Sequence, residues 1–145
     1  MNLNKLMLMA ALLGIIPLIS QAQQADAIVG KWYTQDKDAH VEIFKEGEVY
    51  HGKMVWLKEP TENGKPKMDK NNTDKAKRDR PILGMRLLSD FVHDGDTWED
   101  GTIYDPRNGK SYSCTIKLLD KDTMEVRGYV GIAAFGKTVE WTRVN

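Results

Sequence analysis

The sequence is poor in cysteine and has no surplus of either charge. Of its 145 residues only Cys114 is a cysteine, so no internal disulfide can form. We expect Cys114 to be a small buried apolar side chain, with an intermolecular bridge or a reactive thiol as the alternatives. The 21 basic and 21 acidic side chains give a formal net charge of +0. A nucleic-acid-binding protein normally carries a basic surplus, so we expect no nucleic-acid partner.

Patterns that carry catalytic or metal chemistry are also scarce. Neither a Gly-x-Ser-x-Gly nucleophile elbow nor a Gly-rich phosphate-binding loop is present. The histidines lie in separate segments, without the short spacings of metal ligands: His40, His51 and His93. Residues 69–74 alternate oxygen-bearing side chains like a calcium loop, but Asp74 stands where an EF-hand needs glycine. The sequence therefore predicts no catalytic residue, no bound metal and no cofactor.

A long apolar run occurs once, at the N-terminus. Lys5 precedes an almost wholly apolar stretch over residues 6–19, and Ser20-Gln21-Ala22 gives the small-x-small pattern that a signal peptidase recognises. The run is shorter than the ~20 residues that span a bilayer, so a membrane anchor is the weaker alternative. No cysteine near the cut could carry a lipid. We expect a signal peptide over residues 1–22 and a periplasmic or secreted product without a transmembrane segment.

The remaining residues, 23–145, have the length of one domain and the period of β-strands. Residues 112–118, for example, alternate apolar and polar side chains, and Asp-Pro-Arg-Asn-Gly at 105–109 is a strong turn signal. Such segments add up to about eight strands with short connections. We predict an all-β antiparallel meander closed into a barrel, because closure removes exposed strand edges. A two-sheet sandwich is the alternative.

One long polar segment, from Lys58 to Arg80, interrupts this pattern. It is rich in Lys, Asp and Asn, and it contains two prolines and a glycine. A structureless loop of this length is uncommon in a compact domain and is usually a functional lid or a mobile insertion. We expect a loop with one helical turn at residues 76–79, which either covers a ligand or is only a solvated excursion.

Tryptophan and tyrosine side chains are spread over the strand segments: Trp32, Trp56, Trp98, Trp141, Tyr50, Tyr104, Tyr112 and Tyr129. Such side chains can line a pocket, or they can fill an eight-stranded barrel, which has room for its own side chains or one small ligand. We predict a ligand-binding site made of four of them: Trp56, Tyr104, Tyr112 and Tyr129. Arg127 shares a strand face with Glu125. On the exterior the two would form a solvated pair, and in the interior they would have to pair or bind something.

Several motifs, taken in order along the chain, resemble those of a known family. They are Gly30-x-Trp32, Gly52-Lys-Met-Val-Trp56, Asp69-x-x-Asn72, Arg80-Pro-Ile-Leu-Gly84, Gly101-Thr-Ile-Tyr-Asp-Pro106, Asn108-Gly-Lys-Ser-Tyr-Ser-Cys114, Glu125-Val-Arg-Gly-Tyr-Val-Gly131 and Trp141-Thr-Arg143. The chain is similar over most of its length to domain of unknown function 2147, a family of small exported bacterial proteins. The resemblance implies a lipocalin-like or calycin-like barrel in the cell envelope, with no established activity. It also implies that Trp32 packs against Arg143, a structural cation–π contact of about 1 kcal/mol.

These observations lead to an expectation for function. We expect an exported, non-enzymatic envelope protein that binds a small, partly apolar ligand in the barrel or at its mouth, with residues 69–80 as a covering loop. A protein-interaction module with a filled barrel, docking an envelope protein, is the alternative. An enzyme acting on an envelope lipid or glycan is the weaker alternative, and it would bring His and carboxylate side chains together in a cleft.

Overall fold

In the computed structural model, which describes residues 14–16 and 19–145, eight antiparallel strands close into a barrel. In chain order the strands are β1 (Gly30–Tyr33), β2 (Ala39–Glu46), β3 (Val49–Leu57), β4 (Thr61–Glu62), β5 (Lys65–Pro66), β6 (Arg86–Asp94), β7 (Thr97–Asp105), β8 (Lys110–Asp120), β9 (Thr123–Tyr129) and β10 (Lys137–Arg143). Around the barrel the order is β1-β10-β9-β8-β7-β6-β3-β2, and β4 and β5 form a separate hairpin. The predicted all-β barrel is confirmed, and the sandwich is excluded.

The predicted signal peptide falls mostly on residues that lie outside this description. Residues 1–13 and 17–18 are not among those described. Within the described ranges, no helix has both the length and the apolar character needed to cross a membrane.

The inside of the barrel is filled by its own side chains. Alternate residues of each strand point inward, and the largest fully buried ones are Trp32, Trp98, Tyr50, Phe91, Ile43, Leu88, Ile116, Met124, Val41 and Val126. Trp141 is also buried. Gly101 makes room for Phe91, because a Cβ at Gly101 would lie 2.5 Å from the aromatic ring. These tryptophans therefore belong to the core and not to a pocket.

Cys114 lies in this core. Its side chain is fully buried, and burial raises the pKa of the thiol to about 12. The thiol is therefore protonated at neutral pH and shielded from reagents, as expected for a structural cysteine.

The N-terminal helices cover one end of the barrel, which we call the closed end. They are α1 (Gln21–Ala25) and a 3-10 helix over Asp26–Ile28. A core side chain holds them in place, since Trp98 Nε1 donates a hydrogen bond to the Ala25 carbonyl oxygen at 3.0 Å. A cut after Ala22, as the sequence predicts, would remove the start of α1 but retain Ala25, the acceptor of this hydrogen bond.

Trp32 and Arg143 complete the closed end. The Arg143 guanidinium lies 4.2 Å from the centre of the Trp32 ring, and Trp32 Nε1 donates to the Ile28 carbonyl oxygen at 2.9 Å. Arg143 also donates to the carbonyl oxygens of Ala27 at 2.8 Å and Val29 at 3.0 Å. The last strand is thereby tied to the N-terminal helices.

The opposite, open end carries the connection from β3 to β6, residues 58–85, which we call the strap. The sequence predicts a long polar loop with one helical turn over most of this segment, and the structure adds local order to that loop. The strap contains the β4–β5 hairpin, a 3-10 helix at Lys75–Lys77 beside the helical turn expected at 76–79, and a bridge between Met68 and Pro81. Backbone hydrogen bonding within the strap gives it a fixed shape despite its polar composition.

Arg127 binds the connection between β9 and β10. Its guanidinium donates to the Ala133 carbonyl oxygen at 2.6 and 2.8 Å and to Thr138 Oγ1 at 2.7 Å. Arg127 follows the buried Val126 and so faces outward, but its partner is this connection and not Glu125. The connection exposes three apolar side chains, with accessible fractions of 71%, 60% and 81%: Val130, Ile132 and Phe135.

Candidate ligand-binding site

A buried carboxylate fastens the strap to the barrel. Asp69 has no solvent exposure. Its Oδ2 accepts hydrogen bonds from Asn72 Nδ2 at 2.8 Å and Arg80 Nε at 2.9 Å, and its Oδ1 accepts one from the Tyr104 hydroxyl at 2.6 Å. We call Asp69, Asn72, Arg80 and Tyr104 the clasp. Three members belong to the strap and the fourth to β7, so the clasp joins two parts of the chain that are distant in sequence.

The contacts within the clasp set the protonation states of Asp69 and Tyr104. Burial alone would raise the pKa of Asp69, but the hydrogen bonds from Asn72, Tyr104 and Arg80 outweigh it and hold that pKa below its usual value. Burial and the bond to Asp69 raise the pKa of Tyr104 to about 12. At neutral pH the clasp therefore contains a carboxylate, a guanidinium and a protonated phenol, and both oxygens of the carboxylate accept hydrogen bonds.

The clasp is not among the sites that the sequence predicts, although its residues stand in the family-like motifs of the chain. Asp69 and Asn72 come from Asp-x-x-Asn, Arg80 opens Arg-Pro-Ile-Leu-Gly, and Tyr104 belongs to Gly-Thr-Ile-Tyr-Asp-Pro. The spacing of Asp69 and Asn72 is a local signal for a side-chain hydrogen bond in a turn. Tyr104 lies 35 positions from Asp69, so no local pattern could have indicated their contact.

A second contact fixes the strap to the turn between β7 and β8. Asn71 Nδ2 donates to the carbonyl oxygens of Pro106 at 3.2 Å and Arg107 at 3.1 Å. Gly109, with φ +73°, allows this approach, because a Cβ there would lie 1.8 Å from the Asn71 carbonyl oxygen. The strap is thus held at two points along one side of the barrel.

A groove of about 610 Å³ lies between the strap and the barrel. The strap contributes Asn72, Thr73, Asp74, Lys77 and Arg80. The barrel strands and their connections contribute Arg86, Leu87, Ser89, Thr102, Tyr104, Gly109, Lys110, Ser111, Tyr112 and Val130. Both polar and apolar groups therefore face the groove.

The floor of the groove is the outer face of the barrel. In β7, Gly101 pairs with the fully buried Cys114, so that side of the strand faces the core. Thr102 and Tyr104, which lie one and three positions after Gly101, therefore face outward. The cavity therefore lies outside the barrel wall and reaches the rim at Val130, whereas the sequence leads us to expect a site inside the barrel or at its mouth.

Positive charge predominates around the groove. Four basic residues line it against the single carboxylate of Asp74: Lys77, Arg80, Arg86 and Lys110. Arg86 pairs with Glu46 at 3.3 Å, and Arg80 pairs with Asp69 through Nε. Within the described ranges, neither Lys77 nor Lys110 has an acidic partner within 4.0 Å.

The four predicted ligand-binding residues all lie near strand ends at the open end, but only two of them line the groove. Tyr104 forms part of its floor, and Tyr112 lies at its edge with its hydroxyl accepting a hydrogen bond from Asn108 Nδ2 at 2.8 Å. Tyr129 follows Gly128 and pairs with Ser113, so it faces the exterior on another part of the wall. The predicted set therefore does not form one site.

Trp56 is displaced by an irregularity in β3. His40 pairs with Trp56 but Val41 pairs with Met54, so one extra residue turns the indole outward. Trp56 is 39% exposed and packs against His40, with ring centres 4.4 Å apart. Burial, together with nearby Lys31, lowers the pKa of His40, so this imidazole is neutral at pH 7.

The three histidines lie apart from one another. His51 Nδ1 accepts a hydrogen bond from the Asp90 backbone N–H at 3.1 Å, and His93 packs against Trp98. Among the described residues no group of three His, Cys, Asp or Glu side chains could hold a metal ion. The three histidines thus occupy three separate environments, and none of them lines the groove.

An eight-stranded antiparallel barrel in meander order, opened by Gly-x-Trp and closed by the Arg of the last strand over that Trp, defines a lipocalin-like protein. The model of a family of uncharacterised proteins conserved in bacteria, DUF2147, matches residues 30–143, and the chain belongs to this family.

A solved structure supports the same architecture. Protein HP1028 from the human pathogen Helicobacter pylori, described as belonging to the lipocalin family, superimposes with a TM-score of 0.71 at 24% sequence identity. The match covers 81% of this chain and 83% of that one. No curated protein matches the sequence significantly. At this identity the likeness concerns the fold.

Proposed function

We propose that this protein is exported to the cell envelope and binds one small, partly apolar ligand in the groove between the strap and the barrel wall. The observation that carries the proposal is the groove itself, whose volume of about 610 Å³ falls within the range typical of small-ligand sites. The barrel interior offers less room, because tryptophan and other large side chains fill it. The leader predicted over residues 1–22 supports export.

The groove is suited to binding because its walls are held in place before a ligand arrives. The clasp ties one wall to the floor, and Asn71 ties the strap to the β7–β8 turn. A preformed site avoids the entropic cost of ordering a loop when the ligand binds. A strap that serves only as a solvated excursion would not need a buried carboxylate beneath it.

Native mass spectrometry of the protein purified gently from its own envelope fraction tests this proposal. We expect a retained small-molecule adduct, and we expect the mass of the protein to be that of a chain that begins at Gln23. The Tyr104→Phe variant loses the bond to Asp69, loosens the strap and should retain less of the adduct. Tyr129→Phe makes the same chemical change outside the groove and is the matched control. Equal retention by both variants, or loss only in the control, would contradict the proposed location.

One observation favours a second candidate, a protein-interaction module. The β9–β10 connection exposes Ile132 and Phe135 beside the open end, which is unusual for large apolar side chains of an isolated domain. In that case the double substitution Ile132→Ser and Phe135→Ser would abolish capture of an envelope protein. The groove variants would leave the capture unchanged.

A further inference from the structure

We infer that the ligand of the groove is an amphiphilic anion, whose carboxylate or phosphate lies among Lys77, Arg80 and Lys110. The inference rests on the proposed function, since it names the chemical class that the groove takes. It follows from three features of the lining: unpartnered cations on opposite walls, an oriented guanidinium, and an apolar surface that continues past the rim.

The unpartnered cations come from opposite walls. Lys77 ends the 3-10 helix of the strap, and Lys110 begins β8 on the barrel side. Both line the groove, and within the described residues neither has a carboxylate within salt-bridge distance. Asp74, the acidic group of the lining, accepts a hydrogen bond from the Ala76 backbone N–H at 3.0 Å and caps the 3-10 helix. An anion between the two walls would be attracted to both lysines.

Arg80 adds a donor with a fixed orientation. Its Nε donates a hydrogen bond to Asp69, which sets the plane of the guanidinium. The guanidinium carbon lies 5.5 Å from the centre of the Tyr104 ring. Its two terminal nitrogens donate no hydrogen bond to any of the described residues. Such a fork matches the oxygens of a carboxylate or a phosphate, and its orientation is already determined by the clasp.

The remainder of the lining is apolar enough to hold a chain or a ring. Leu87, Tyr104 and Tyr112 are among the lining residues, and Val130 stands at the rim with 71% of its surface exposed. Beyond Val130, the same connection carries the exposed Ile132 and Phe135. A simple inorganic anion would leave this surface in water, whereas the alkyl part of an amphiphile would cover it.

A titration with matched amphiphiles tests the inference. The probes are decanoate, decanol and decylammonium, each below its micelle concentration, with acetate as the chain-free anion. They are added to isotope-labelled protein purified after expression of the full chain, and backbone amide shifts are followed by NMR. We expect decanoate to bind at least about tenfold more tightly than decanol, and decylammonium and acetate to bind more weakly still. The shifted amides should include those of Lys77, Gly109 and Val130.

Variants distinguish the contribution of the charged side chains to the affinity from that of the apolar contacts. In Lys77→Ala/Lys110→Ala the affinity for decanoate should fall several-fold towards that for decanol, with Arg80 keeping the remaining preference, while the affinity for decanol is unchanged. Lys121→Ala, with a lysine that is 90% exposed near the closed end, should alter neither. Equal affinity of the unchanged protein for decanol and decanoate at the groove would overturn the anionic class and leave the proposed function standing. An absence of shifts at the groove with every probe would overturn both.

Discussion

Replacing Asp69 by Asn removes the charge that fastens the strap while keeping the size of the side chain. The carboxylate accepts three hydrogen bonds, one of them from a guanidinium. An amide has a single oxygen, and its NH₂ group would face one of these donors. We therefore expect one bond to be lost, one donor to be left unpaired and the bond to Arg80 to weaken.

The magnitude follows from these three changes. A hydrogen bond to a charged group contributes about 1.5–3 kcal/mol and a neutral one about 1 kcal/mol, so losing the charge costs roughly 1–2 kcal/mol. The unpaired donor adds about 1 kcal/mol. Arg80 is 41% exposed and can be solvated, so the larger cost of a buried unpaired charge does not apply. The free energy of unfolding should fall by about 2–3 kcal/mol, which for a domain of this size lowers Tm by roughly 6–12 °C.

Thermal unfolding followed by circular dichroism measures this shift, and hydrogen exchange of the strap amides locates it. Asp79→Asn is the matched control, because Asp79 lies on the exposed part of the same strap and should change the free energy by less than about 0.5 kcal/mol. If the Tm values of the two variants agree within experimental error, the clasp does not hold the strap as argued.

Three further predictions follow from the same structure. Because the pKa of Asp69 is lower in the folded than in the unfolded protein, its stabilisation is present above about pH 4 and is lost as the pH falls through the folded pKa. The urea midpoint of the unchanged protein should therefore fall more between pH 7 and pH 3 than that of Asp69→Asn. Arg143→Ala removes the stack on Trp32 and the hydrogen bonds to Ala27 and Val29. Urea titrations should show a free energy of unfolding lower by about 2–3 kcal/mol, whereas the control Lys121→Ala should leave the free energy of unfolding unchanged. Gly101→Ala places a methyl group 2.5 Å from the Phe91 ring and should lower the free energy of unfolding by about 1–3 kcal/mol. Adding Phe91→Leu to this variant should restore part of the loss. Equal stability of Gly101→Ala and the unchanged protein would contradict this packing.

The architecture could be predicted from the sequence because its signals are local. Alternation over residues 112–118 and the turn at 105–109 each involve neighbouring residues, and both appear in the structure as β8 and the turn before it. The burial of Cys114 follows from the same alternation. Closure of the barrel then follows from the number of strands and the short connections between them.

The site could be predicted only in part because its geometry depends on contacts between distant residues. Tyr104 and Tyr112 line the groove, but the irregularity at Val55 turns Trp56 away, and period-two alternation alone does not reveal a bulge. The polar composition of the strap predicts a loop but not the shape that this loop takes. Its order comes from Asp69, whose partner in β7 cannot be read from the strap itself.

Photo-crosslinking can distinguish a ligand outside the barrel wall from one inside the barrel. The probe is a decanoate analogue that carries a diazirine on its alkyl chain, and peptide mapping identifies the labelled residues. We expect labels at the groove and its rim, on Leu87, Tyr104 and Val130. Labels on the inward-facing Ile116 and Val126 would place the ligand inside the barrel and contradict the account.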